Sequence, residues 1–314
     1  MGNWFSYASR PRRSIAVVGT IVAAVLGAGL VGPPAAVADE YGPRQPDWAP
    51  AVAYSMQHPG SLPIGMNDPG CRPGSAHPRP VVLLNGAFLN KYATWSKYSP
   101  ELTVMGFCVF GLDYGGPVDG PFHQMGDLRD SAREIGEFVD EVLRKTGAKQ
   151  VDLVGYSEGG LVPFYFLNVL GGADRVGTLV SLASPVRGMS GYRLLDGIAS
   201  LPGGTANLDR MLPAAVDGTA GSDFVTEIAR GGQTRTGVRY VTVSSRTDLV
   251  VAPGEALLAD APNVTNVVLQ DACPQNRAFH GSMTYDDTAL RLVSNALDPT
   301  TATAPDCHGA PSQP

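Results

Sequence analysis

Apolar residues in this chain gather into short continuous runs, separated by Gly- and Pro-rich turns and by one long amphipathic stretch. Val81-Val82-Leu83-Leu84 is the first such run. Four apolar residues in a row suit a strand of a parallel sheet buried on both faces. A helix is expected near Trp95 to Val104, then a second apolar run from Phe107 to Leu112. The clearest helix spans Asp127 to Thr146, where Leu128, Ile135, Phe138, Val139, Val142 and Leu143 form one stripe. Asp127 can cap its start and Gly147 can end it. Further strands are expected at Val151–Val154, Val176–Leu182, Val238–Val243 and Val264–Leu269, with helices at Leu161–Leu170 and Thr284–Ala296. Strands alternating with helices predict an α/β fold whose central sheet is mostly parallel, with right-handed crossovers and helices on both faces.

Three stretches depart from this alternation. Residues 39–79 are rich in Pro, Gly and isolated polar residues and read as an extended leading arm. Residues 185–237 are far longer than an ordinary connection. Their apolar residues, among them Leu194, Leu201, Leu212, Phe224 and Ile228, predict an insertion of short helices folded like a lid over the carboxyl edge of the sheet. At the start, Arg10, Arg12 and Arg13 precede an uncharged apolar segment from Ile15 to Val31, followed by Ala36-Val37-Ala38. This is the layout of a signal peptide over residues 1–38, cleaved before Asp39. A retained membrane anchor is the competing reading, but the segment is marginal in length and broken by glycines. The expectation is one domain over residues 39–314, secreted and without a stable anchor.

Charge and cysteine content narrow the partners. The formal net charge is −6, and all 29 acidic residues lie beyond residue 38. An acidic surface without a Lys/Arg cluster argues against nucleic acid and against anionic lipid as electrostatic partners. The four cysteines, Cys71, Cys108, Cys273 and Cys307, have no C-x-x-C spacing, so a metal site is not expected. In an exported chain an even count predicts two disulfides. Of the three pairings, the sequential one is preferred. Cys71 lies just before one predicted strand and Cys108 begins the next, so that bond could pin the arm to the sheet.

The chemistry centres on Gly155-Tyr156-Ser157-Glu158-Gly159. A G-x-S-x-G match occurs by chance, and its serine could merely cap a helix. Here it follows a predicted strand directly and opens a helix, the context of a nucleophile elbow. A serine nucleophile needs a base, and in that fold the base follows the acid and the last strand. His58, His77 and His123 precede Ser157 and read as surface or loop residues. His280 stands after Val264–Leu269 and before the closing helix, whereas the fallback, His308, lies in a Pro/Gly-rich tail. Asp248 is the first carboxylate beyond Val238–Val243 and would orient the imidazole. Glu255, Asp260 and Asp271 are its competitors. The oxyanion donors are expected to be the backbone N–H groups of Glu158 and of Ala87, in the loop after the first strand. Glu158's carboxylate reads as structural, and Phe88 and Tyr156 as contributors to a substrate pocket. No cofactor is required.

Three segments carry a resemblance to a known family. They are Pro80–Phe88, Gly106–Gly115, and Val268-Leu269-Gln270-Asp271-Ala272-Cys273 followed by His280. With Trp95 between the first two, they resemble the secreted actinobacterial lipases and esterases often termed class 2 lipases. The resemblance runs from about Asp47 to Cys307. It implies an α/β-hydrolase fold, hydrolysis of triacylglycerols or simpler esters, two sequential disulfides, and a Ser157–Asp248–His280 triad. The family usually has His-Gly where this chain has Asn85-Gly86. Acyl transfer or polyester depolymerisation could run on the same triad, and a catalytically silent binding homologue is the alternative of another class.

Overall fold

A computed structural model describes residues 41–116, 120–190 and 212–307. The chain divides into two units, Met1–Ala38 and Asp39–Pro314. The signal peptide expected over 1–38, residues 191–211 of the insertion and His308 all lie outside the described residues. Among the described residues no helix is long and apolar enough to cross a membrane.

Six strands form one parallel sheet in the order β2-β1-β3-β4-β5-β6: β1 Val81–Leu84, β2 Val109–Gly111, β3 Val151–Tyr156, β4 Val176–Leu182, β5 Arg239–Ser244 and β6 Val264–Val268. Alternate residues of each strand feed opposite layers, which is why the runs read as continuously apolar. Val82, Leu84, Leu153 and Leu179 pack on one side with α4 (Leu128–Thr146) and α5 (Val162–Asn168). Val81, Leu83, Val154, Val180 and Val241 pack on the other with α3 (Tyr98–Val104) and α10 (Asp287–Leu297). Asp127 caps α4 by accepting from the N–H groups of Arg129 and Asp130, and Gly147 closes it at φ +72°.

Four expectations need correction. The leading arm is not wholly extended, because α1 (Trp48–Gln57) lies within it. Pro50 reads as a helix breaker, yet it sits in the first turn, where no intrahelical N–H partner is needed. The helix expected at Trp95–Val104 is two, α2 (Lys91–Trp95) and α3, because Asn90 starts the first and Ser96 ends it. β2 is shorter than its apolar run, since the Phe107 N–H donates back to Leu102 O and closes α3. The closing helix α10 starts at Asp287, capped by Asp286, after a 3₁₀ segment over His280–Tyr285.

The insertion also departs from a pure lid. Its described second half holds α6 (Pro213–Asp217) and α7 (Asp223–Ala229), and these pack on the flank of α4 and α5. Phe224 is fully buried and stacks on Tyr165 with ring centroids 5.0 Å apart. Arg129 on α4 reaches Asp217 at 3.0 Å and Glu227 at 3.2 Å, with its guanidinium over the Phe224 ring. Phe224 and Ile228, expected in a cover, therefore extend the core that α5 helps to form.

Candidate active site

The strand order reverses direction at β1. Its successor β2 lies on one side and β3 on the other, so the loops leaving their carboxyl ends diverge and open a crevice. β1 runs into Asn85-Gly86-Ala87-Phe88 and β3 into the turn at Ser157. The register sets Leu84 opposite Gly155, so the two loops start side by side.

Ser157 has φ +54°, in the left-handed region. That conformation is strained for a residue with a side chain and persists only where its surroundings enforce it. The enforcement is visible at the flanking glycines. A Cβ at Gly155 would stand 2.0 Å from Gly159 O, and one at Gly159 would stand 2.3 Å from Asn85 O. Both obstacles are backbone, so only glycine lets the strand, turn and loop approach this closely.

Loops after β5 and β6 bring two more side chains to Ser157. His280 Nε2 lies 2.9 Å from Ser157 Oγ, and His280 Nδ1 lies 2.8 Å from Asp248 Oδ2. The carboxylate is an acceptor, so Nδ1 carries the proton and Nε2 is left to accept from the serine hydroxyl. The second carboxylate oxygen accepts from the N–H groups of Val250 and Val251, at 2.8 and 3.0 Å, which fixes the plane of Asp248. Asp248 is buried and His280 is partly open. The other acid candidates are engaged elsewhere or exposed: Glu255, on the short helix α8 (Pro253–Ala256), with Ser190 and Ala252, Asp271 with Arg246, and Asp260 at the surface.

The Asn85–Phe88 loop is pinned from several sides. Tyr114 Oη donates to Asn85 O at 2.7 Å, and Asn85 Nδ2 donates to Leu89 O at 2.7 Å. Asn85 thus ties the loop to itself through its side chain. The Phe88 N–H donates to His123 O and the Leu89 N–H to Gly86 O. Among the described residues no protein group accepts from the Ala87 N–H. Phe88 has φ +61° and is half exposed beside this loop. Tyr156, in contrast, is buried, and its hydroxyl donates to His280 O at 2.9 Å. It offers little surface to a substrate and instead fixes the backbone of the histidine.

Glu158 follows Ser157 with its carboxyl buried near Gly218 at the end of α6. Burial, with the nearby Asp217 adding to it, pushes that carboxyl up to about 8. The Tyr114 hydroxyl is raised well above its usual range by burial, then by Glu158. Of the remaining histidines, His58 stacks on Tyr54 and His77 packs at a tilt against Phe107, while His123 is buried within its loop. Cys71 is bonded to Cys108 and Cys273 to Cys307, and the second bond closes a loop containing His280. Among the described residues no cluster of three His, Cys, Asp or Glu could hold a metal.

Sequence reasoning did not find Tyr114, Tyr156 as a support for His280, or the polar residues around it. Only the adjacency of Tyr156 to Ser157 hinted at a role there.

Comparison with known proteins adds a family. The profile described as Lipase (class 2) matches residues 78–293. Among solved structures, Aspergillus fumigatus lipase B is similar at 17% identity and a TM-score of 0.59, over 78% of this chain and 56% of that one. The chain therefore spans little more than half the length of the fungal protein. The mature form of a Bacillus licheniformis lipase is similar at 17% identity and TM-score 0.54, over 73% of this chain and 96% of its own. A Paleococcus ferrophilus monoacylglycerol lipase is similar at 15% identity and TM-score 0.50, covering 71% and 95%. At these identities the structural likeness establishes the α/β-hydrolase fold.

Proposed function

The chain belongs to the class 2 lipase family, a family of carboxylic-ester hydrolases, and from that premise we propose that Ser157, His280 and Asp248 form its catalytic triad. The observation that carries this reading is the chain of short contacts from Ser157 Oγ through the imidazole to Asp248. In it Ser157 attacks the ester carbonyl while His280 Nε2 takes the hydroxyl proton. Asp248 stabilises the imidazolium and holds its tautomer. The tetrahedral oxyanion accepts from the Ala87 and Glu158 N–H groups, each worth on the order of 3 kcal/mol in the transition state. Collapse expels the alcohol, protonated by His280, and leaves an acyl-enzyme. Water, deprotonated by the same imidazole, then releases the acid.

Apolar substrates fit this site. Phe88, Leu249, Val250 and Phe279 are large, exposed and within two residues of Ala87, Asp248 or His280, and exposed Phe122 precedes His123, whose carbonyl accepts from the Phe88 N–H. Exposed apolar side chains on the loops that carry a reactive group support an ester with an apolar acyl chain, as in a lipid. The two disulfides support export to an oxidising compartment.

Replacement of Ser157 by Ala tests the assignment. It should lower kcat on p-nitrophenyl butyrate by at least about 10⁴-fold while the circular dichroism spectrum stays that of the parent. Substantial turnover by a folded S157A protein would refute it.

A further inference from the structure

The loop carrying His280 is held against the loop carrying Asp248 by more than the bond between those two residues. Ser245 Oγ donates to Ala278 O at 2.6 Å and Thr247 Oγ1 donates to the same oxygen at 2.7 Å. Ala278 stands two residues before His280, and Ser245 and Thr247 stand three and one before Asp248. Gln270, on the short helix α9 (Leu269–Ala272) at the end of β6, spans the junction. Its Nε2 donates to Ser245 Oγ at 2.9 Å and to Asn276 O at 3.1 Å, and its Oε1 accepts from the Arg246 N–H at 2.9 Å.

Each donor has a match. Both hydroxyl protons go to the two lone pairs of Ala278 O, which leaves Ser245 Oγ to accept from Gln270 and from the Thr247 N–H at 3.2 Å. The two amide protons of Gln270 serve one loop each. A partly buried polar network this well satisfied rigidifies the parts it joins. The His280 loop is otherwise tethered by the Cys273–Cys307 bond, by Asn276 Nδ2 donating to Asp286 at 2.9 Å, and by Tyr156 on its carbonyl. None of these fixes it relative to Asp248.

We infer that Gln270, with Ser245 and Thr247, is a positioning clamp that sets His280 at bonding distance from both Asp248 and Ser157. The clamp rests on the triad reading and touches no reacting atom. Its effect is on the rate of the chemical step, because a displacement of about 1 Å at a general base costs up to about 100-fold.

The test uses the full, oxidised protein with p-nitrophenyl butyrate and a fluorophosphonate that counts active serines at end point. Gln270→Glu keeps the acceptor and the shape but sets an oxygen against Asn276 O. It should lower kcat by about 10- to 100-fold, with KM within about twofold and one titratable serine per chain. Thr247→Val should act in the same direction, and Thr247→Ser, which keeps the hydroxyl, should restore kcat to within about twofold of the parent. A parental kcat in Q270E overturns the clamp, as does a loss accounted for wholly by fewer titratable serines. An active S157A control instead overturns the triad on which the clamp depends.

Discussion

At the scale of residues, the tight turn at Ser157 was legible because its geometry is written locally. Strand, glycine, serine and glycine stand next to one another, and the close approaches at Gly155 and Gly159 are consequences of that short segment. Glu158 shows the limit of such reading. Its position beside Ser157 is evident, but its burial near Asp217 depends on a helix about sixty positions further on. The folded state holds its proton up to about pH 8, whereas an exposed glutamate loses it near 4.3. Because the folded-state value is raised, Glu158's contribution to stability is complete below the unfolded value. It declines as pH climbs toward about 8 and is constant above that. Glu158→Gln removes this dependence and keeps the backbone N–H. The unfolding free energy from urea titrations should therefore fall further between pH 5 and pH 9 for the parent than for E158Q, by an amount on the order of a few kcal/mol. Equal falls in the two proteins would show that the carboxyl ionises without cost.

Elements were read best where one local pattern decides them. The stripe, cap and terminal glycine of α4 predict it almost to the residue. Helix α1 escaped because Pro50 argues locally against a helix, and its amphipathic face is narrow, with Ala51 and Ser55 buried. In the insertion the residues were noticed but their destination was not. Apolar side chains at helical spacing do not say whether they cover a cleft or thicken a core. Phe224 makes the difference measurable. If α7 is core, Phe224→Ala should cost about 3–5 kcal/mol in urea unfolding, the range for a large buried aromatic, with kcat per folded molecule little changed. A lid would give the reverse, a small stability change and altered turnover.

Over the whole molecule, the sheet order puts the Asn85 loop and the Ser157 turn in one crevice and leaves the loops after β5 and β6 to complete it. Exposed Phe88, Phe122, Leu249, Val250 and Phe279 come from four separate segments adjoining that site. Their convergence predicts how rate follows chain length. Each added methylene that leaves water on binding contributes up to about 0.8 kcal/mol, or up to about fourfold in kcat/KM. A series of p-nitrophenyl esters from acetate to octanoate should therefore rise steadily in kcat/KM. A flat series, or a maximum at acetate, would assign the rim another role and make the enzyme a short-chain esterase.

Sequence by itself determined the alternating elements, the strand–turn–helix around Ser157, and the chain order of Ser157, Asp248 and His280, which the fold brings into contact. Each is set by neighbours within a few residues or by the direction of the chain. Tertiary structure decided what lies between distant segments: Tyr156 under His280, α7 against Tyr165, and Gln270 between the acid and base loops. The physical reason is that a hydrogen bond across a hundred residues leaves no periodicity in the chain. Gln270 stood inside a quoted motif, and only the folded positions of Ser245 and Asn276 gave its amide something to hold.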